Sequence, residues 1–168
     1  MPALWIVIAL VVLLRLAELV YAGRNTARLL AQGGVEHGRR HYPLIVALHA
    51  GWLAALALLV PPDTPGQWPW LALFAALQAA RVWVIASLGP YWTTRVITLP
   101  GAPLVRRGPY RFLRHPNYCV VAAEIAVLPL AFGAWQIALA FSVLNALVLA
   151  HRIRVEQAAL ASRSPVTD

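Results

Sequence analysis

The sequence predicts an all-α fold: a polytopic integral membrane helical bundle of about five transmembrane helices, with the N-terminus outside and the C-terminus in the cytosol. Three observations predict it. The chain is 61% hydrophobic and 12% charged over 168 residues, with a mean hydropathy of +0.68. That is more apolar surface than a soluble domain of this length can bury. The apolar residues gather into five runs, 3–21, 43–60, 68–88, 117–132 and 134–150, and runs of about 18 or more read as membrane spans. All 14 basic residues are arginines, and 12 of them fall on alternate loops or the C-terminal tail, the other two, Arg15 and Arg81, lying within spans.

Span one has no basic side chain at its extreme N-terminus and is interrupted by Arg15 and Glu18, so it reads as a retained helix and not a cleaved signal. Arg15 and Glu18 stand at i,i+3, a spacing that lets them pair. The loop "GRNTARLLAQGGVEHGRRHYP" is expected to begin as a helical extension and to end at Gly33–Gly34. Arg40, His41 and Tyr42, just before span two, read as interface anchors or a lid on a substrate entrance. His49 lies less than two turns into span two. The outer turn "PPDTPGQWPW" is rich in Pro and Gly, with Trp68 and Trp70 in the interfacial belt. Arg81, near the cytosolic end of span three, is placed either to snorkel or to face a cavity.

Residues 89–115 form a long loop with four prolines. Loops of that length are usually functional or disordered, and this one reads as ordered but irregular. Span four is short for a full crossing, which takes roughly 20 residues. His115 precedes a proline and is pushed out of helical geometry. Pro116 then suits the first helical position, with His115 as the N-cap. The free amides of such a helix start attract anions, and Arg111 and Arg114 reinforce them. Glu124 lies about two turns further in, where a carboxylate needs a partner or a proton. "FGAW" folds spans four and five into a tight hairpin. Span five carries Asn145 in its inner half and is expected to continue as a helix through residue 161. The single cysteine, Cys119, excludes an intrachain disulfide and reads as a packing residue.

Arg24, Arg28, Arg39 and Arg40 follow span one; Arg95, Arg106, Arg107, Arg111 and Arg114 follow span three; Arg152, Arg154 and Arg163 follow span five. The turns at 61–67 and at Gly133 carry none. Cytosolic loops hold the excess of arginine, which fixes the orientation. It also accounts for the net charge of +8 without a nucleic-acid partner. Within the spans the ionisable groups all lie in the cytosolic half. The simplest arrangement is a polar cavity open to the cytosol and closed above, in a single membrane domain spanning 1–168.

The segment "GPYRFLRHPNY" resembles the Gly-Pro-Tyr…Arg-His-Pro-x-Tyr signature of the isoprenylcysteine carboxyl methyltransferase family, integral membrane enzymes that use S-adenosylmethionine. "RIRVEQAAL", from Arg152, resembles that family's Arg-Ile-x-x-Glu-Glu-x-x-Leu, with Glu156 as the first glutamate and Gln157 in place of the second. The N-terminal pattern "RLAEL…RN…GG.E.G..HYPL" resembles a bacterial branch that accompanies type III polyketide synthases. Val120 stands where many members carry glycine, which weakens a prenylcysteine acceptor.

The resemblance implies a cofactor-binding core over about 104–160. The cofactor carboxylate would sit at the His115–Pro116 helix start with Arg114 or Arg152, the sulfonium against Tyr118 or Tyr110, and the adenine beside Tyr110–Phe112 or the C-terminal helix. The implied acceptor is a lipophilic small molecule bearing a hydroxyl, such as an alkylpyrone or alkylphenol, entering from the membrane lipids past His49 and Arg81. A phenol needs a base, and Glu156 and Glu124 are the candidates. Carboxyl methylation of a prenylated or acylated acceptor is the nearest alternative. A non-enzymatic lipid-binding or assembly protein is the alternative of another class. The implied location is the bacterial inner membrane with the site facing the cytosol; no metal is called for.

Overall fold

The computed structural model describes residues 2–39, 42–102 and 105–161. Arg40 and His41 of the expected lid, and Arg163, lie outside the described residues. Helix α1 (Ala3–Ala31) is a single rod of 29 residues, so the helical extension past span one forms as expected. It stops where expected: Gly33 takes φ +87°, and the Gly34 amide donates back to the Leu29 carbonyl at 2.9 Å, satisfying an otherwise orphaned helix-end carbonyl. Then follow β1 (Val35–His37), α2 (Tyr42–Leu59), α3 (Trp68–Leu88), β2 (Val96–Thr98), α4 (Pro116–Leu130) and α5 (Trp135–Ala161), with short 3-10 turns at Gly89–Tyr91 and Gly108–Arg111.

Four of these helices, α1, α2, α3 and α5, are long and apolar enough to cross a membrane, and α4 is shorter. Its 15 residues span roughly 22 Å at about 1.5 Å each, against a hydrocarbon core of about 30 Å. It is also the most enclosed helix, packed between α3 and α5. Val121, Ile125, Val127 and Leu128 of α4 form one apolar cluster with Leu4, Ile8 and Val11 of α1, Leu48, Trp52 and Leu56 of α2, and Phe74 of α3. By contrast Leu10, Leu13 and Leu16 of α1, Leu58 of α2 and Leu147 of α5 are exposed. A surface of that kind suits lipid and not water. Between α2 and α3 the Gln67 amide donates to the Ala131 carbonyl at 2.8 Å, tying the Pro/Gly turn to the end of α4. Cys119, expected to pack, is exposed on α4.

Three residues of the loop after α1 pair with three of the 89–115 loop, expected to be irregular, in a two-stranded antiparallel ribbon, with Val35 opposite Thr98, Glu36 opposite Ile97 and His37 opposite Val96. Side chains reinforce it. Arg95 Nη1 pairs with Glu36 Oε1 at 2.9 Å, and His37 Nε2 lies 2.8 Å from Thr98 Oγ1. The extension of α1 braces the same region. Asn25 Nδ2 donates to the carbonyls of Gly89 at 3.2 Å and Trp92 at 2.9 Å, and Arg28 donates to that of Pro90. The arginine-bearing loops thereby become one ordered cap over one end of the bundle.

Candidate functional site

The turn at Gly108 shows why that position is glycine. Its φ is +56°, and a Cβ there would meet Ser87 Oγ at 2.1 Å. Next to it, Arg107 Nε donates to the Ser87 carbonyl at 2.7 Å. The Gly-Pro-Tyr turn is therefore seated on the end of α3. His115 is the N-cap of α4 as expected, with φ −131° and ψ 57°, and Pro116 is the first helical residue. The His115 side chain makes no capping bond, so its imidazole is free to face elsewhere: it stacks on Tyr118, ring centroids 5.2 Å apart.

Arg152 and Glu156 are four residues apart on α5 and so share a face. That face meets Tyr118. The Tyr118 hydroxyl donates to Glu156 Oε2 at 2.5 Å and accepts from Arg152 Nε at 2.8 Å. Arg152 Nη2 is held by the Thr94 carbonyl at 2.8 Å, and His115 Nδ1 lies 3.8 Å from Glu156 Oε1. The two polar junctions flanking the last helical hairpin thus meet.

They meet at the wall of a cavity of about 520 Å³, lined by Tyr110, Arg114, His115, Tyr118, Arg152 and Glu156 together with Trp92 and the β2 ribbon. A second cavity of about 410 Å³ adjoins it among α1, α2 and α5, with Arg15, His49, Arg81 and Asn145 set in largely apolar walls. Trp92, Thr93, Asn117, Tyr118 and Arg152 line both. Within that shared wall Trp92 Nε1 and Asn117 Oδ1 are buried and have no hydrogen-bond partner among the described residues. Such orphaned groups are rare in native proteins and call for a ligand or water. A cavity within the roughly 300–1,000 Å³ of small-molecule sites, with cations, a carboxylate and aromatic rings, fits S-adenosylmethionine. Burial first, and the nearby Glu156 and Tyr118 next, push the Tyr110 phenol well above its ordinary range, so this ring keeps its proton and presents a neutral face to the cavity.

Five of the six cofactor candidates line the larger cavity; Pro116 lines neither and contributes by ending the loop and starting the helix. Glu124 also lines neither. It belongs to an ion network inside the bundle. Its Oε2 accepts from Arg81 Nη1 at 3.1 Å; its Oε1 accepts from Gln78 at 2.7 Å and from Arg15 at 3.3 Å. Arg81 also holds Glu18 through two bonds of 2.8 Å, and Arg15 pairs with Glu18 at 3.0 Å. Arg15 and Arg81 therefore do not snorkel; they pair inside the bundle and border the apolar cavity with His49, whose Nδ1 bonds the Ile45 carbonyl at 2.9 Å. The ionisable groups of the spans are in this way split between a network and two cavities, in place of one open polar hollow. Arg154 is exposed and bonds back to the Ala150 carbonyl.

Sequence reasoning missed Trp92, Thr94 and Asn117. The signal for Trp92 and Thr94 was an aromatic- and threonine-rich loop, "PYWTT", following span three, and for Asn117 its place inside "RHPNY".

Comparison with known proteins agrees with the motifs. The model of the isoprenylcysteine carboxyl methyltransferase family matches residues 70–162. YpbQ, an uncharacterized protein of Bacillus subtilis (strain 168), is 38% identical over 161 residues, covering 93% of this chain and 95% of that one. An uncharacterized protein of Haemophilus influenzae is 26% identical over 165 residues, covering 95% and 96%. No solved structure matches the chain.

Proposed function

Because the chain belongs to the isoprenylcysteine carboxyl methyltransferase family, we propose that it is an integral membrane, S-adenosylmethionine-dependent methyltransferase that methylates an oxygen of a lipophilic acceptor. One observation carries the reading: a cavity bearing arginines and a carboxylate, the more polar of the two, and an apolar cavity share a wall that includes Trp92, Asn117, Tyr118 and Arg152. The polar cavity suits a charged, water-soluble cofactor, and the apolar one suits a molecule drawn from the bilayer. S-adenosylmethionine, when bound, supplies an electrophilic methyl group on a sulfonium. Arg114, beside the start of α4, would hold its carboxylate; the Tyr118 and Cys119 amides there already donate to the His115 carbonyl at 3.1 and 3.4 Å. Tyr118 is already engaged by His115 and by Arg152, whose guanidinium lies 5.6 Å from its ring. Tyr110 is then the better aromatic face for the sulfonium, and Tyr118 acts through its hydroxyl. Arg152, pinned by Thr94 and Tyr118, keeps the shared wall rigid. Transfer needs an in-line approach, and fixing that approach supplies much of the rate.

The acceptor we favour is the hydroxyl of an alkylphenol or alkylpyrone. Glu156, one hydrogen bond behind the wall, is the group that takes the proton, whereas the Glu124 oxygens are committed to Arg81, Arg15 and Gln78. His49 and Arg81 border the acceptor's route from the membrane. The polar cavity lies at the arginine-bearing end, which positive-inside topology puts in the cytosol, with the N-terminus outside. The test is methyl transfer by the purified protein from labelled S-adenosylmethionine to an alkylphenol, an alkylpyrone, a fatty acid and a prenylated cysteine. Labelling of the first two supports the reading, labelling of the carboxylates alone moves it to carboxyl methylation, and labelling of none refutes it.

A further inference from the structure

Glu156 lines the polar cavity but not the apolar one, so an acceptor hydroxyl entering from the membrane does not reach it directly. Tyr118 lines both. Its hydroxyl already donates to Glu156 Oε2 at 2.5 Å and accepts from Arg152 Nε at 2.8 Å. A phenolic oxygen has one proton to give and two lone pairs to receive; Arg152 takes one, and one lone pair remains. We propose that Tyr118 is a catalytic proton relay. It receives the acceptor's hydroxyl proton on the apolar side while passing its own proton to Glu156 on the polar side.

This inference rests on the methyltransferase reading and deepens it. The balance is simple. The acceptor O–H bond breaks as the oxygen bonds the methyl carbon, and the methyl–sulfur bond breaks with its electron pair staying on sulfur. The acceptor's proton goes to the Tyr118 oxygen, and the Tyr118 proton goes to Glu156, which changes from carboxylate to carboxylic acid. One positive charge on sulfur and one negative charge on Glu156 disappear together, so the step leaves the total charge of the site unchanged. Because both transfers are concerted, free tyrosinate never forms, and the Arg152 guanidinium offsets whatever negative charge develops on the phenolic oxygen. Glu156 then returns its proton to water in the polar cavity or to His115 Nδ1, 3.8 Å away. The arrangement lets a base that must stay wet act on a substrate that must stay dry.

Two measurements test it. In the first, with no methyl donor present, a nitrophenol bearing a long alkyl chain is bound to the protein in detergent and the rate at which it ionises after a jump to alkaline pH is followed by absorbance. The wild type ionises the bound probe about tenfold or more faster than Tyr118→Phe or Glu156→Gln does, since the relay is the proton's path from the apolar cavity to water. In the second, methylation of the nitrophenol is divided by methylation of a long-chain fatty acid, an acceptor that has no proton to lose. That ratio cancels any change in cofactor binding, and it falls about 100-fold or more in Tyr118→Phe. Equal ionisation rates in the wild type and both variants, a slowing confined to Tyr118→Phe, or an unchanged ratio would overturn the relay. Failure of the wild type to methylate either probe would instead refute the methyltransferase reading, and the donor-free ionisation rate still decides on the relay. Glu156→Gln, on the water side of the wall, keeps the test available if Tyr118→Phe does not fold.

Discussion

Replacing Glu124 with leucine removes the carboxylate that closes the ion network inside the bundle. Arg81 keeps its two bonds to Glu18 and loses its contact at 3.1 Å, Arg15 loses one at 3.3 Å, and Gln78 loses the acceptor of its 2.7 Å bond. Two guanidinium groups are then left to share Glu18. The Arg81 and Glu124 side chains are only 9% and 6% exposed, so water does little to screen the imbalance. Removing one partner of a buried ion pair costs about 3–5 kcal/mol, and Glu124→Leu is expected in that range. Glu124→Gln keeps the shape and an acceptor oxygen and loses about 1–3 kcal/mol. The discriminating variant is the double one. Adding Arg81→Met restores neutrality, with Arg15 and Glu18 still paired. Replacing a whole buried pair by apolar residues is often neutral or stabilising by about 1–4 kcal/mol, so the double variant should recover at least half of the single loss. The assay is unfolding in mixed micelles of rising denaturing-detergent content, followed by the fluorescence of the seven tryptophans. If Glu124→Leu sits within about 1 kcal/mol of wild type, or if the two single losses simply add in the double variant, the network does not hold the bundle together as argued.

Other expectations follow from the site. His115→Ala should weaken cofactor binding about tenfold in calorimetric titration while the protein still inserts, since a contact to a charged group contributes roughly 1.5–3 kcal/mol. Glu156→Gln should reduce alkylphenol methylation about 100-fold or more with little change in the thermal unfolding midpoint. Gly108→Ala should destabilise the protein by about 1–3 kcal/mol, read in the same micelle assay, because the new Cβ would lie 2.1 Å from Ser87 Oγ at a φ of +56°. Tyr110, whose phenol is pushed up chiefly by burial, keeps its proton in the folded state above pH 10, where the unfolded chain loses it. The folded state then binds more protons than the unfolded one, so stability falls as pH rises past about 10. Tyr110→Phe should remove part of that alkaline decline in a stability-against-pH series.

The helices were the most legible part of the chain because they are written in long apolar runs, and the ends of α1, α3 and α5 follow from local signals. Gly33 stops α1, Trp68–Pro69 starts α3, and the run "HRIRVEQAALA" after Ala150, free of Gly and Pro, carries α5 onward. The pairing of Arg15 with Glu18 was legible from their spacing; that of Arg81 and Glu124 was not, since they belong to different helices whose rotation no single run encodes. The β ribbon was illegible for a similar reason. Each strand has three residues, too few to show alternation, and its partner lies some sixty positions away in the register Val35 to Thr98. Motif residues such as His115 and Glu156 could be named from sequence, yet their meeting depends on how α4 and α5 pack. Of the other residues in the shared wall, Trp92 carries no motif, and Asn117 occupies the unspecified position of Arg-His-Pro-x-Tyr. Their roles come from burial without partners, a property that exists only once the chain has folded.

The claim on which the rest depends is that the cavity beside His115, Tyr118 and Glu156 takes a sulfonium nucleotide. Titrating S-adenosylhomocysteine into the detergent-purified protein tests it most directly. A single site with an affinity on the order of micromolar, weakened in His115→Ala and in Arg114→Ala, is the predicted result. A protein that is folded by its tryptophan fluorescence yet releases no heat on titration, or binds equally well in both variants, would contradict it.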